Sequence, residues 1–532
     1  MPTFAERIRA IAEREPLRQQ FPAQVLNEVR AWEAQPEIDS PALDDLSTLP
    51  FVTIDGPDTR DLDQALHLRR EGKGYRLRYA IADASHYVAA GSALFAEALE
   101  RGASFYLPGF NVPMLPRPLS EGLVSLGPGA ARRALLFDVS LDARGGVGDW
   151  RLRRARVRSQ AKLAFSEVLE LWQQPSGGRL GGESFAESLR LLREVGELRA
   201  AHEDRKQMVR YRRVENDPYL AADGQLRLRG ETRDAVELAN EQVSILCNAL
   251  GAQYLATSDP EHVQPVYRVH APPAPDRLAA FERLVRMVAR DRGLPDDPWV
   301  YRRAAAAGLA GYLEALPTSG PEGRLARALH RQAMMVNGRS VFSVQPSEHF
   351  GVGETIYSRF TAPMREIVGV FCHKEAIERL GGGRERSRAE DETLRAQVVE
   401  AGNRAKDVQR RLDRELAGLV LEALLGPELA RPLGDRPVRV GTVMGISSSK
   451  VHVLLDEPSI DVKLMLRDLG QELGGAWLDI EADGARLVVR GSGEVICRLG
   501  EEIRVRALGP DGTMQLVREG SAGAARAKPA RR

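Results

Sequence analysis

Cysteine is nearly missing from this chain: Cys247, Cys372 and Cys497 are the three among 532 residues, far apart and in no C-x-x-C or Cys/His pattern. That excludes a disulfide scaffold and a structural zinc site. Charge of one sign is missing too, since Lys and Arg total 75 against 74 Asp and Glu. A polyanion could be bound only through a local basic surface. No run of 18 apolar residues occurs, and the opening MPTFAERIRAIAEREP has Glu and Arg where a signal peptide needs an apolar core. These absences predict a cytoplasmic protein with no membrane partner. There is no internal repeat.

What is present is the composition of a folded protein, 43% hydrophobic and 28% charged, and a length that calls for two to four domains. Residues 1–48 read as a short helical N-terminal region ending in the connector QPEIDSPALDDLSTLP. Strands follow at Phe51–Ile54, Ala65–Arg69 and Tyr75–Ala82; in the last, Tyr75, Leu77, Tyr79 and Ile81 alternate with Arg76 and Arg78. A further strand is expected over Arg151–Arg158. Helical periodicity then prevails from about Ala161 to Leu425, which makes the class α/β (α+β): a mixed sheet covered by helices over 49–425. Beyond the Pro/Gly-rich stretch 426–437, five alternating runs (VRVGTVMGI, KVHVLLDE, IDVKLML, ARLVVRG, EEIRVRALGP) predict an OB-type barrel over 437–518. A basic, disordered tail is expected over 519–532.

The stretch TIDGPDTRDLDQAL sets Asp55, Asp58, Asp61 and Asp63 within nine residues. Like charges so crowded repel unless a cation offsets them. Magnesium or manganese takes oxygen ligands and is held by a few carboxylates together with substrate phosphate. The Gly56-Pro57 turn would return Asp55 toward Asp61 and Asp63, which alternation puts on one face. Such a site suits phosphodiester hydrolysis. The same aspartates could instead make Asx-turns and caps in an exposed loop, as Asp58 between Pro57 and Thr59 suggests.

TIDGPDTRDLDQA is followed in order by YAIADASHYV, RGASFYLPGFNVPMLPRPLSEGLVSL, SQAKLAF, VYRVHAPPAPDRL, EHFGV and YSRFTAPMRE. Over about Phe51 to Leu425 this order closely resembles the ribonuclease II (RNB-domain) family, in its short bacterial form without N-terminal cold-shock domains. The resemblance implies a magnesium-dependent exoribonuclease, with manganese as the other candidate metal. It would degrade single-stranded RNA from the 3′ end to 5′-monophosphates, with no obligate protein partner evident. It implies that Asp55 and Asp61 hold metal, and that Asp63 is the acid on which cleavage depends most, organising the attacking water or a metal. Arg365 would stabilise charge on the phosphoryl oxygens. Tyr106 would stack on the terminal nucleotide, and Tyr211 is a second stacking candidate. His270 is open between a structural and an RNA-contact role, and a late acidic position maps to Asp413 or Glu415.

Departures from the pattern are as informative. Where the family has a fourth acid next to Asp63, this chain has Gln64, whose neutral amide oxygen could still coordinate a cation but with less attraction. REIVGVFCHKE stands where RRYxDLxxHR is usual. The rival expectation is therefore an RNA-binding protein of the same ancestry whose cleavage has weakened. WRLRRARVRSQAK, VRYRR and RLRLRG are candidate phosphate-binding segments, with Arg158 and Lys162 the residues singled out, although an isolated basic run is more often a solvated strand face. Lys450, Lys463 and Arg467 suggest a second RNA grip on the barrel.

Overall fold

The computed structural model describes the whole chain except residues 1, 16, 175–177, 203–208, 210, 212–214, 232–233, 258–261, 305–307, 383–385 and 519–532. The expected basic tail, and three of the arginines of VRYRR and its neighbourhood (Arg210, Arg212, Arg213), lie outside the described residues.

The central sheet is built from β1 (Asp44–Asp45), β2 (Phe51–Ile54), β3 (Gln64–Glu71), β4 (Gly74–Ala82), β7 (Ala131–Leu141) and β8 (Val147–Leu163); a separate small hairpin consists of β5 (Phe105–Leu107) and β6 (Phe110–Val112). The order β1-β8-β2-β3-β4-β7 closes on itself because β8 also pairs with β7. The hairpin β3–β4 runs in unbroken register from Gln64 opposite Ile81 to Glu71 opposite Gly74. Gly72, at φ 60°, supplies the left-handed turn that such a short connection needs. β8 is longer than the expected strand: residues 147–158 serve β7, and 159–163 run parallel to β2. β7 was not expected at all.

Helices cover this sheet. The 21-residue helix Ala235–Leu255 and the helix Ile367–Ile377 are buried on most faces. The 42-residue helix Arg388–Leu429 starts on a capping box in which Ser387 and Glu390 bond each other's backbone amides. Along its length it contributes Leu394, Val398 and Ala401 to the main core, Ala405 to Val420 to a core shared with Ile8, Ile11 and Phe105, and Leu425 to the barrel core. It runs through Pro427, so the sequence stretch 426–437 begins inside a helix rather than in a linker.

The C-terminal part is a nearly closed OB-type barrel. Its five-stranded sheet has Val438–Ile446 at the centre, Lys450–Leu455 and Asp461–Met465 on one side, and Glu502–Ala507 and Met514–Leu516 on the other. A bridge between Lys463 and Thr513 brings the edges together. One expected barrel strand is reassigned: ARLVVRG forms Arg486–Val489 at the centre of a separate three-stranded sheet, and Met514–Leu516 takes the fifth place. No helix among the described residues is long and apolar enough to cross a membrane.

Candidate active site

The aspartate-rich stretch is the connection from β2 to β3. The Asp55 amide donates to Leu163 O at 3.1 Å, at the end of the β2–β8 pairing. Its carboxylate then turns the chain locally, accepting from the Gly56 amide at 2.7 Å and the Thr59 hydroxyl at 3.0 Å. Lys162 donates to both Pro57 O and Thr59 O at 2.6 Å. These two bonds pin the loop and engage two of the three ammonium donors of Lys162. Asp58 is exposed in the turn.

Asp63 lies at the entry to β3 and is 2% exposed. Across some three hundred residues of sequence it receives two donors from one tight turn: the Met364 amide at 3.0 Å and Arg365 Nε at 2.6 Å. Burial pushes the Asp63 carboxyl up to about 6; Asp61 adds to that rise, and Arg365 and the Met364 amide oppose it. Asp61 accepts from the Tyr106 hydroxyl at 2.7 Å. Tyr106 sits on the β5–β6 hairpin with 48% of its surface exposed, and the Ser104 amide bonds Arg365 O at 2.9 Å, tying hairpin to turn. Asp55, Asp63 and Arg365 line one cavity of about 670 Å³.

Gln64 also lines this cavity, but its amide oxygen accepts from the Tyr79 hydroxyl and its amide nitrogen donates to Thr361 O. The oxygen offered by the sequence as a metal ligand is therefore part of a cross-link between β4 and the 357–365 segment. Among the described residues, the single group of three His, Cys, Asp or Glu ligand atoms within 4.8 Å of one another is Glu375, Glu378 and Asp391, and the Lys374 ammonium already sits among them at 2.8–2.9 Å. Asp55, Asp61 and Asp63 are not gathered that tightly. As donors, three carboxylates on one loop suit a hard divalent cation, with Asp55 and Asp63 lining the cavity and both Asp63 oxygens also accepting from Met364 N and Arg365 Nε.

Other expected contacts fall elsewhere. Tyr211 packs against the core formed around Phe281 and Leu329, with its hydroxyl bonded to Asn337. His270 bonds Gly338 O through Nε2 at 3.0 Å and the Gly351 amide through Nδ1 at 3.1 Å, so both ring nitrogens are occupied by backbone. On the long helix, Asp413 accepts from Gln409 and Glu415 pairs with Arg14 of the helix Phe4–Arg14, and neither lines the cavity. In the basic strand, Arg153 pairs with Asp44 and Asp138, and Arg156 with Asp39 and Asp45. Much of that run is a zipper for the acidic connector, and Arg158 is left exposed at its end.

Sequence reasoning missed several residues. Asn248, fully buried, accepts from the Phe360 and Thr361 amides at 2.6 and 3.1 Å and donates to the Tyr357 and Thr361 hydroxyls, both at 3.0 Å. It staples the segment that carries Arg365. Gly251 allows the same segment close approach, because a Cβ there would meet the Phe360 ring at 2.5 Å. Glu237, Asn240, Glu241 and Ser244 bring one helix face to the cavity, a polar 3–4 spacing visible in the sequence. Arg268, Arg359, Glu366 and Lys406 line it as well.

A closed mixed sheet, an acidic loop at its edge, and an arginine turn brought onto that loop from beyond residue 350 together define the class. Residues 43–374, more than half of the chain, match the RNB domain, and the chain belongs to that family. Ribonuclease R of Vibrio cholerae is 27% identical over 508 residues, covering 92% of this chain and 58% of that protein. Exoribonuclease 2 of Edwardsiella piscicida is 30% identical over 444 residues, covering 78% and 64%. The chain thus spans somewhat over half the length of these curated relatives. In fold it is similar to Mycoplasma genitalium RNase R solved in complex with ribose-methylated single-stranded RNA, with a TM-score of 0.83, 20% identity, and coverage of 96% of this chain and 77% of that one.

Proposed function

We propose that this chain is a divalent-metal-dependent exoribonuclease that hydrolyses single-stranded RNA from the 3′ end and releases 5′-nucleoside monophosphates. The observation that carries the reading is Asp63, buried beside the cavity with Met364 N and Arg365 Nε converging on its two carboxylate oxygens. Asp55, Asp61 and Asp63 would hold magnesium, with manganese as the alternative. When bound, that ion supplies Lewis acidity at a phosphoryl oxygen and a nucleophile at neutral pH.

The protein's own groups do the rest. Arg365 spends Nε on Asp63, which leaves the guanidinium's other N–H donors to turn toward phosphoryl oxygens as charge builds there. Tyr106 offers an exposed ring for sequence-tolerant stacking on the terminal base, with its hydroxyl held by Asp61. Its position ties base stacking to the acidic loop. Lys162 and Thr59 keep the loop closed while substrate enters. We take residues 49–425 as the catalytic domain and the 437–518 barrel as the RNA-holding one, with the cytoplasm as the working compartment.

The test is directional. RNA labelled at its 5′ end should give a ladder descending one nucleotide at a time with magnesium, and the same RNA labelled at its 3′ end should release labelled mononucleotide from the first time point. Internal cuts or release from the 5′ end would refute the reading. A second reading, an RNA binder with weakened cleavage, is favoured by one observation: both ends of the Gln64 amide are taken by Tyr79 and Thr361. Gln64→Asp that switches on cleavage absent from the parent would establish that second reading.

A further inference from the structure

Beyond Arg365 the cavity carries a group of charges that the proposed reaction does not use. Glu366 is 8% exposed and is held by Arg359 Nε at 3.1 Å on one carboxylate oxygen and by Lys406 Nζ at 2.6 Å on the other. Arg268 lines the same cavity, with its ring-facing guanidinium 4.5 Å from the Phe342 centroid and Nη2 bonded to Ser340 at 2.7 Å. Its Nη1 is buried without a hydrogen-bond partner, and so is Nδ1 of the cavity-lining His349, itself 8% exposed. Two cations therefore hold one carboxylate, and a third, Arg268, lines the same cavity with one guanidinium nitrogen lacking a partner, as does one ring nitrogen of His349. Buried polar groups of this kind are ordinarily satisfied, and a guanidinium nitrogen can only donate, so Arg268 Nη1 lacks an acceptor on this wall. Across the cavity, Glu237 is committed to capping its own helix, where it accepts from the Asp234 amide at 2.7 Å.

We propose that Arg268, Arg359 and Lys406 form a second phosphate subsite, which takes a phosphodiester of the RNA strand adjacent to the one at Arg365 while Glu366 holds the cations apart until the strand arrives. The proposal rests on the RNA-degrading reading and adds positioning residues to it. The adjacency follows from the chain itself, because Arg365 and Glu366 are consecutive and face the same cavity. A phosphodiester brings two acceptor oxygens, which suits a wall of excess donors, and the guanidinium groups are weakly hydrated enough to be preferred partners there. Glu366 is then an internal counter-charge that competes with the strand.

The test is equilibrium binding of a labelled single-stranded oligouridylate to the full chain, with chelator present so that nothing is cut, between about 50 and about 200 mM salt. Lys406→Met should weaken binding about tenfold and make the slope of log affinity against log salt shallower by about 0.7, the signature of one lost phosphate contact on a single strand. Glu366→Gln should tighten binding. Thermal unfolding of both variants separates a binding effect from a folding one. Wild-type binding that Lys406→Met leaves unchanged in affinity and slope, with only the melting temperature lowered, would overturn the subsite and leave the RNA-degrading reading standing. Wild-type protein that binds no RNA would overturn both. Inorganic phosphate serves as the second probe: protection by phosphate that requires Lys406, with RNA affinity unaffected by the variant, would assign the site to free phosphate and overturn the strand assignment.

Discussion

At the scale of single residues, the site depends on one ion pair. Arg365 Nε donates at 2.6 Å to Asp63, whose carboxylate is buried, and a guanidinium keeps further N–H donors for the proposed phosphate contact. Lysine keeps the charge but offers a point donor on a flexible stem. Arg365→Lys is therefore expected to retain RNA binding and lose roughly 10²–10³-fold in single-turnover cleavage rate, measured with enzyme in excess over labelled RNA. The crowding of Asp55, Asp61 and Asp63 was visible in the sequence, and Arg365 was singled out by the family resemblance; the structure brings Arg365 onto Asp63. The real partners of Gln64 and Lys162 were not. Gln64 bonds Thr361, some three hundred residues away, and Lys162 bonds carbonyls about a hundred residues back, contacts that no local spacing reports.

At the scale of elements, alternation made β3 and β4 readable, whereas β7 was hidden by its own burial. From Ala134 to Val139 every residue is buried, Asp138 included, so the strand shows a continuous run rather than a period of two. Nor did any local pattern mark Asn248 as the staple of the 357–365 segment. Asn248→Ala strips two buried backbone amides of their acceptor, which should cost about 2–4 kcal/mol. Chemical denaturation would measure that loss, and cleavage should fall with it because the Arg365 turn loses its anchor. The junction of the Ile367–Ile377 and Arg388–Leu429 helices carries a pH dependence. There Glu375, Glu378 and Asp391 share the Lys374 ammonium, and burial pushes the Glu375 carboxyl up to about 7. A carboxyl raised in the folded state stabilises the fold below its unfolded pKa, and that contribution is lost as pH rises through about 7. The melting temperature should thus decline between about pH 5 and about pH 8, and Glu375→Gln should flatten the decline. An identical slope in the variant would place the titration elsewhere.

At the scale of the molecule, one helix organises the whole. Arg388–Leu429 joins the sheet core, the N-terminal helix and the barrel, and Arg7–Glu422 and Arg411–Glu15 fasten the N-terminal region to its side. The class and the barrel could be read from patterning; this continuity could not, since Pro427 reads as a break. The barrel in turn is fixed to the helix Gly320–Val336, where Arg324 bonds Asp456 through both terminal nitrogens at 2.8 and 2.6 Å. The proposed function asks the cavity lined by Asp63 and Arg365 to take the strand's end and the barrel, fastened through Arg324, to hold the strand beyond it. The most direct test of that account is Asp63→Asn, with RNA binding and RNA shortening followed in the same samples with magnesium. The account predicts a protein that binds single-stranded RNA at least as well as wild type and shortens none of it. Cleavage at the wild-type rate by Asp63→Asn would contradict it.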